Sequence, residues 1–145
     1  MLVYNKPSQY ALCALSYIAN AGPQAVCQAE VVAEKESIPR PFLAKLLKQM
    51  VQQKILRSIK GPGGGFILNK SPEQITLYDI VSVFENLDDD FSRCAIGWTK
   101  CSDTTPCALY FEHKRLRTGF KEHMKKTKLS VFIEARKQKD SGWSE

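Results

Sequence analysis

At 145 residues the chain is long enough for one domain with its own core, and a composition of 43% hydrophobic and 25% charged residues excludes wholesale disorder. No apolar run approaches membrane-spanning length and no apolar signal core follows the start, so a cytoplasmic protein without a membrane partner is expected. Five cysteines, an odd number, argue against a disulfide scaffold, and a net charge of +6 is modest until its distribution is considered.

A first helix is predicted from about Ser8, where Ala11, Leu12, Leu15, Ile18 and Ala19 share one stripe; Gly22-Pro23 stops it. Cys13 within it reads as a packed core thiol. Cys27 precedes a short helix, Gln28 to about Lys35, that buries Val31, Val32 or Ala33. Pro39 and Pro41 open a third helix, proline suiting a first turn whose amide hydrogens lack helical partners anyway. Leu43, Leu46, Leu47 and Met50 make its inward face, while Arg40, Ala44, Lys45, Lys48 and Gln49 fall largely outward. Two helices joined by a tight turn, the second basic outside, match the helix-turn-helix plan, whose second helix enters the major groove.

Lys54 to Lys60 then reads as a strand with Arg57 and Ser58 in it, Gly61-Pro62-Gly63-Gly64-Gly65 as a turn, and Phe66-Ile67-Leu68 as the returning strand. This hairpin is a wing, and its glycines let the backbone approach a sugar–phosphate surface. A nucleotide-binding loop is rejected, because a helix should follow such a loop and a strand follows here. From Ser37 to Pro72 there is no Asp or Glu, whereas Arg40, Lys45, Lys48, Lys54, Arg57, Lys60 and Lys70 give seven positive charges, more than the chain nets. Such a window suits a polyanion such as DNA or RNA, the alternative being a generic basic surface.

Thr76-Leu77-Tyr78-Asp79 is a capping box opening a helix through about Glu85, which closes a domain over 1–86. Residues 87–107 carry the acidic run Asp88-Asp89-Asp90 and then Cys94, Cys101 and Cys107 among Gly, Ser, Asp, Thr and Pro, the composition of a loop. Thiolates are preferred ligands of iron–sulfur clusters and zinc, so three on one loop point to a metal or cluster, against redox thiols or cysteines of no special role. A long structureless loop needs something to order it, and a bound cluster would do so. From Ala108 to about Lys126 a basic helix carries one apolar stripe, Leu109, Leu116, Phe120 and Met124, and a short helix follows from Leu129 to Arg136. The economical partner for that stripe is the same helix of a second chain, giving a homodimer through 108–136. Residues 137–145 read as a flexible tail. The fold class is mainly α with a small β-hairpin: a winged helix-turn-helix domain plus a long dimerisation helix.

The order of these parts resembles the IscR/NsrR-type winged-helix transcription regulators of bacteria. Carrying the resemblance are Tyr10-Ala11-Leu12, the run Ile38-Pro39-Arg40-Pro41-Phe42-Leu43-Ala44-Lys45-Leu46-Leu47, and the wing Arg57-Ser58-Ile59-Lys60-Gly61-Pro62-Gly63-Gly64-Gly65-Phe66-Ile67-Leu68, followed by the three cysteines. It implies a homodimer with two DNA-binding heads and an iron–sulfur cluster of the two-iron or four-iron type as effector, with Cys94, Cys101 and Cys107 as thiolate ligands. It implies contacts to double-stranded promoter DNA from Arg40, Ala44, Lys45, Lys48, Lys54, Arg57, Ser58, Lys60, Gly61, Gly63 and Gly64. The fourth ligand departs from the family: Tyr110 stands where histidine is found three residues past the last cysteine, and Gln9 stands where a nitric-oxide-sensing member has aspartate. Candidates are His113, whose alternative is a solvated surface histidine, Glu112, an N-terminal group of the other subunit, or a small exogenous ligand.

The expected function is therefore a redox-sensing DNA-binding regulator, a repressor or an activator. Its closest rival keeps the DNA binding and replaces the cluster by a thiol–disulfide switch; structural zinc is a third reading, short of a fourth ligand. From a different class comes a small iron–sulfur electron carrier or scaffold. An enzyme is not expected, since His113 and His123 are the only histidines and no nucleophile–base–orienter set accompanies them.

Overall fold

A computed structural model describes residues 3–138. Helix α1 (Lys6–Asn20) begins two residues before the predicted start because Asn5 caps it, its side-chain oxygen accepting from the Ser8 amide at 2.9 Å, and Pro7 occupies the first turn. Helices α2 (Ala29–Glu36) and α3 (Arg40–Gln52) form the helix-turn-helix. Ser37 takes a left-handed conformation (φ 54°), and the Ile38 amide reaches back to the Ala33 carbonyl at 2.9 Å, ending α2 abruptly and turning the chain into α3. Val31, offered as a buried residue of α2, is exposed; Val32 and Ala33 alone face inward.

The same stop recurs after α3. Lys54 is left-handed (φ 62°) and the Ile55 amide donates to the Met50 carbonyl at 3.0 Å. Lys54 therefore ends the helix rather than starting a strand, and the wing is shorter than read from the sequence: β1 (Leu56–Ile59) pairs antiparallel with β2 (Gly65–Leu68), Leu56 opposite Leu68 and Ile59 opposite Gly65. Cys27 extends the pairing, exchanging backbone bonds with Phe66 at 2.9 and 2.8 Å. Gly64 is obligatory in the turn, since a Cβ there would lie 2.2 Å from the Ile59 carbonyl oxygen.

A 3-10 turn (Pro72–Gln74) leads to α4 (Leu77–Val81), where the Thr76 side chain accepts from the Asp79 amide and Asp79 from the Thr76 amide, both at 3.0 Å. This helix ends at Val81, short of the expected Glu85. The acidic run then forms α5 (Leu87–Ser92), capped by Asn86, with Asp88, Asp89 and Asp90 in the first turn where the helix dipole favours negative charge. The segment expected to be all loop is thus helical at its start. Helices α6 (Tyr110–Lys126) and α7 (Leu129–Gln138) complete the chain.

One core unites these parts: Leu15, Leu43, Leu47, Ile80, Met124 and Leu129 are all fully buried in it. Each such leucine contributes about 1.5–3 kcal/mol through apolar burial. Residues 108–136 divide: α6 packs on α4 with Met124 as its buried residue, while α7 lies along α1. There Arg136 pairs with Glu36 of α2 and donates to Ser16 Oγ of α1 at 3.0 Å; Glu36 is only 3% exposed in its side chain and Arg136 17%. The expected flexible tail lies, from residue 139 on, outside the described residues. Among the described residues no helix is long and apolar enough to cross a membrane.

Candidate cysteine centre and DNA-facing surface

The loop between α5 and α6 is fastened to α6 at three points. At its start the Arg117 guanidinium donates to the carbonyls of Phe91 (3.2 Å) and Arg93, immediately before Cys94. In its middle Lys114 holds Asp103 at 2.7 Å. At its end the Tyr110 amide donates to the Cys107 carbonyl at 3.1 Å as α6 begins. Within the loop, Gly97 turns the chain back with its amide on the Cys94 carbonyl, and Ser102 and Thr105 exchange backbone bonds. The α6 side chains thus decide where the loop stands, and the loop turns decide where its sulfurs meet.

They meet in one place. The sulfurs of Cys94, Cys101 and Cys107 all lie within 4.8 Å of one another, with Cys94 Sγ 3.8 Å from Cys107 Sγ. Cys107 is buried and the other two half-buried. Burial works against ionisation of Cys94, but the backbone amides of Ile96 and Trp98 and the neighbouring thiols outweigh it and bring its pKa down to about 7. Burial pushes the Cys101 thiol up, against a bond from the Cys107 amide. Cys13 and Cys27 lie elsewhere, and burial raises both thiols. Three soft donors converging on a loop, one of them near-ionised, fit an iron–sulfur cluster by ligand chemistry.

The structure does not bring a fourth ligand to these sulfurs. Among the described residues no histidine, aspartate or glutamate atom joins the group. His113 Nδ1 lies 3.2 Å from the Leu109 carbonyl, although the residue lines the same groove as Cys94. Glu112 is paired with Arg115 at 2.8 Å, and Gln9 donates to the Tyr4 carbonyl. The Asp103 carboxylate, beside Tyr110, raises the Tyr110 hydroxyl above its ordinary value. The groove itself, about 1130 Å³, is mainly apolar, with Tyr4, Phe91, Leu116 and Phe120 along it. Of the sequence-predicted stripe on α6, Met124 is buried in the core, Phe120 is half-buried against Tyr4 and Phe91, and Leu116 is 59% exposed.

A second surface is formed by α3 and the wing. Arg40, Ala44, Lys45 and Lys48 are exposed on α3, as are Lys54, Arg57, Ser58, Lys60, Gly61 and Gly63 on or beside the wing; Gly64 is half-buried inside its turn. Among the described residues none of these cations makes a salt bridge, whereas Lys114, Arg115 and Lys121 of α6 are all paired. Cations without an ion-pair partner remain available to a polyanion. Sequence reasoning passed over Phe42, which is exposed at the start of α3 with its ring edge-on to Tyr10 at 5.5 Å.

Comparison with known proteins agrees with this layout. Residues 4–135 match the Rrf2 family, described as an iron-dependent transcriptional regulator. An HTH-type transcriptional regulator of Aquifex aeolicus is 32% identical over 134 residues, 91% of this chain and 92% of that protein. The regulator IscR of Escherichia coli (O1:K1 / APEC) is 27% identical over 118 residues, 77% of this chain and 70% of its own. Among solved structures, CymR, the global cysteine regulator of B. subtilis, superposes with a TM-score of 0.77 at 21% identity, covering 93% of this chain and 98% of that one. IscR of T. potens gives 0.71 at 17% identity, covering 99% and 93%. These likenesses place the winged-helix fold.

Proposed function

Because the chain belongs to the Rrf2 family of iron-dependent transcriptional regulators, we propose that it acts as a homodimer whose promoter affinity is set by an iron–sulfur cluster on Cys94, Cys101 and Cys107. As a member of that family it is a transcriptional regulator and not an enzyme. The observation that carries the cluster is the convergence of three sulfurs within 4.8 Å on a loop laced to α6. A bound cluster supplies thiolate–iron bonds that oxidants, nitric oxide or iron shortage can break. His113 is the candidate fourth ligand through Nε2, its Nδ1 being turned to the Leu109 carbonyl. The partner for α6 is a second α6: Leu109, His113, Leu116, Phe120 and His123 recur at alternating steps of four and three, a coiled-coil seam.

Arg57, Lys60 and Lys54 provide phosphate contacts, with Ser58, Gly61, Gly63 and Gly64 bringing the wing backbone close; Arg40, Ala44, Lys45 and Lys48 face the major groove. The loop, ordered on α6, fixes the spacing of the two heads, and half-sites on DNA demand one spacing. A coupling of ~1–3 kcal/mol between loop and DNA would change affinity roughly 5- to 150-fold. Anaerobic purification tests this: the native chain is expected to be coloured and to hold iron and acid-labile sulfide, and the Cys94→Ser, Cys101→Ser, Cys107→Ser triple variant to hold neither. A colourless native protein with promoter binding indifferent to iron, oxygen and nitric oxide sinks the cluster reading. Colour without any promoter binding would turn the assignment to an electron carrier.

The 3.8 Å approach of Cys94 to Cys107, with Cys94 near-ionised at neutral pH, supports one second reading. In it a two-electron oxidant such as a peroxide joins the two sulfurs, each losing its proton, and a thiol reductant restores them. A colourless protein whose DNA affinity tracks that disulfide would select it.

A further inference from the structure

The exposed residues in the first turns of α3 are Arg40, Pro41, Phe42, Ala44, Lys45 and Lys48. None carries a hydrogen-bond acceptor: three are donors only and three are apolar. The amide side chains of this helix, Gln49 and Gln52, lie in its last turn, away from the end that enters a groove. This bears on what can be read. Adenine is normally recognised by the amide of Asn or Gln, which accepts from N6, and cytosine by a carboxylate accepting from N4. Guanine needs only donors, at O6 and N7, and thymine offers a methyl group.

Resting on the DNA-binding reading above, we infer that the helix reads guanine acceptor edges and thymine methyl groups, with Phe42 as the residue that reads the methyl. Phe42 is 38% exposed, and its ring is held edge-on by Tyr10 at 5.5 Å and 78°. Over the far ring of that pair stands the Lys6 ammonium, 5.2 Å from the Tyr10 centroid. The aromatic edge is therefore pre-set, with Lys6 over its partner ring and the exposed Lys45 three residues along the same helix, and no acid lies between Ser37 and Pro72 in the sequence. An exposed apolar ring on a helix whose exposed charged residues, Arg40, Lys45 and Lys48, are all cations suits the apolar spot in the groove of a polyanion better than an apolar partner protein. Pro41 and Ala44, beside it, are small enough to let the backbone come close. Arg40, Lys45 and Lys48 supply the donors for guanine.

The test starts by selecting the operator from random duplex DNA with the native protein. Half-sites are expected to be rich in guanine and thymine on the edges facing the helix. Each groove-facing thymine is then replaced by deoxyuridine, which removes the methyl alone. Loss of one buried methyl contact should weaken binding by the native protein about fourfold at one or two positions. Phe42→Ala should bind the thymine and uracil duplexes equally, while Phe42→Leu, still apolar, should keep part of the difference; equal melting temperatures of the variants exclude misfolding. Replacing cytosine by 5-methylcytosine at a position where thymine is preferred should recover part of the affinity. A selected operator indifferent to uracil at every position, or a Phe42→Ala variant with the native uracil penalty, overturns the inference and leaves the regulator assignment standing. If no sequence emerges from selection, the assignment itself fails, and this inference with it.

Discussion

The head and the cysteine segment are held together by different physics. In the head, Leu15, Leu43, Leu47, Met50 and Ile80 are fully buried and pack into one cluster. Between Asp88 and His123, Cys107 alone is buried. That stretch is held by the half-buried Phe91 and Phe120 at the edge of the core, by carbonyl bonds from Arg117, by Lys114 on Asp103, and by Asp88 accepting from Tyr78 at 2.8 Å and Lys121 at 3.2 Å. Exposed ion pairs of this kind are screened by water and contribute far less than the burial of one leucine. The head has a buried core, which Met124 and Leu129 complete, whereas the loop carrying the cysteines has few buried contacts and rests nearer the low end of local stability, the end from which switching elements are drawn.

The contrast can be broken by mutation, and the largest effect belongs to the head. Leu47→Ala should destabilise the fold by about 2–5 kcal/mol in denaturant titrations, because the cavity adds to the lost burial. Next comes Arg136→Met, which leaves the Glu36 carboxylate buried without its partner; about 2 kcal/mol is expected, below the full cost of a broken buried pair because Arg136 retains some water contact. A loss near zero would show that α7 is not fixed to the head. Leu116→Ala should change chain stability by no more than about 0.5 kcal/mol, yet raise the dimer dissociation constant measured by sedimentation; an unchanged constant removes α6 as the seam.

The smallest effect is a pH effect. The Tyr78 hydroxyl, then Lys121, holds the Asp88 carboxyl below its ordinary value. A depressed folded pKa stabilises above the unfolded value and loses that contribution as pH falls through the folded one. Below about pH 4 the amide protection factors of residues 87–92, taken against the intrinsic exchange rate at each pH, should fall while those of the head hold, and Asp88→Asn should abolish the difference. Equal protection at pH 3 and pH 6 would mean that Asp88 ties nothing down.

Where a pattern was local, the residues announced it. The spacing of Leu43, Leu46, Leu47 and Met50, the glycine turn and the Thr76–Asp79 box all appear in the structure as read, and the three cysteines converge. Two local signals were passed over: Asn5 before Lys6-Pro7 marks the true start of α1, and Asn86 three residues before Asp89 marks α5. The left-handed Lys54 was hidden because glycine is the usual residue there. The Glu36–Arg136 pair spans one hundred residues, and nothing in either neighbourhood signals the other. The fourth position at the sulfurs was open among several candidates in the sequence, and among the described residues no histidine, aspartate or glutamate joins the three sulfurs.

The way the chain comes home after α6 has a mechanical consequence. The Leu77 amide bonds the Thr127 carbonyl and the Leu129 amide the Ile75 carbonyl, both at 2.8 Å, while Met124 is sunk in the core. Helix α6 is thus clamped at its far end and cannot swing like an arm on a slack joint. A disturbance at its cysteine end is carried along one continuous helix to that clamp. In the proposed pair it must surface as a changed distance between two stiff bodies, a ruler whose length, not whose shape, is read by DNA.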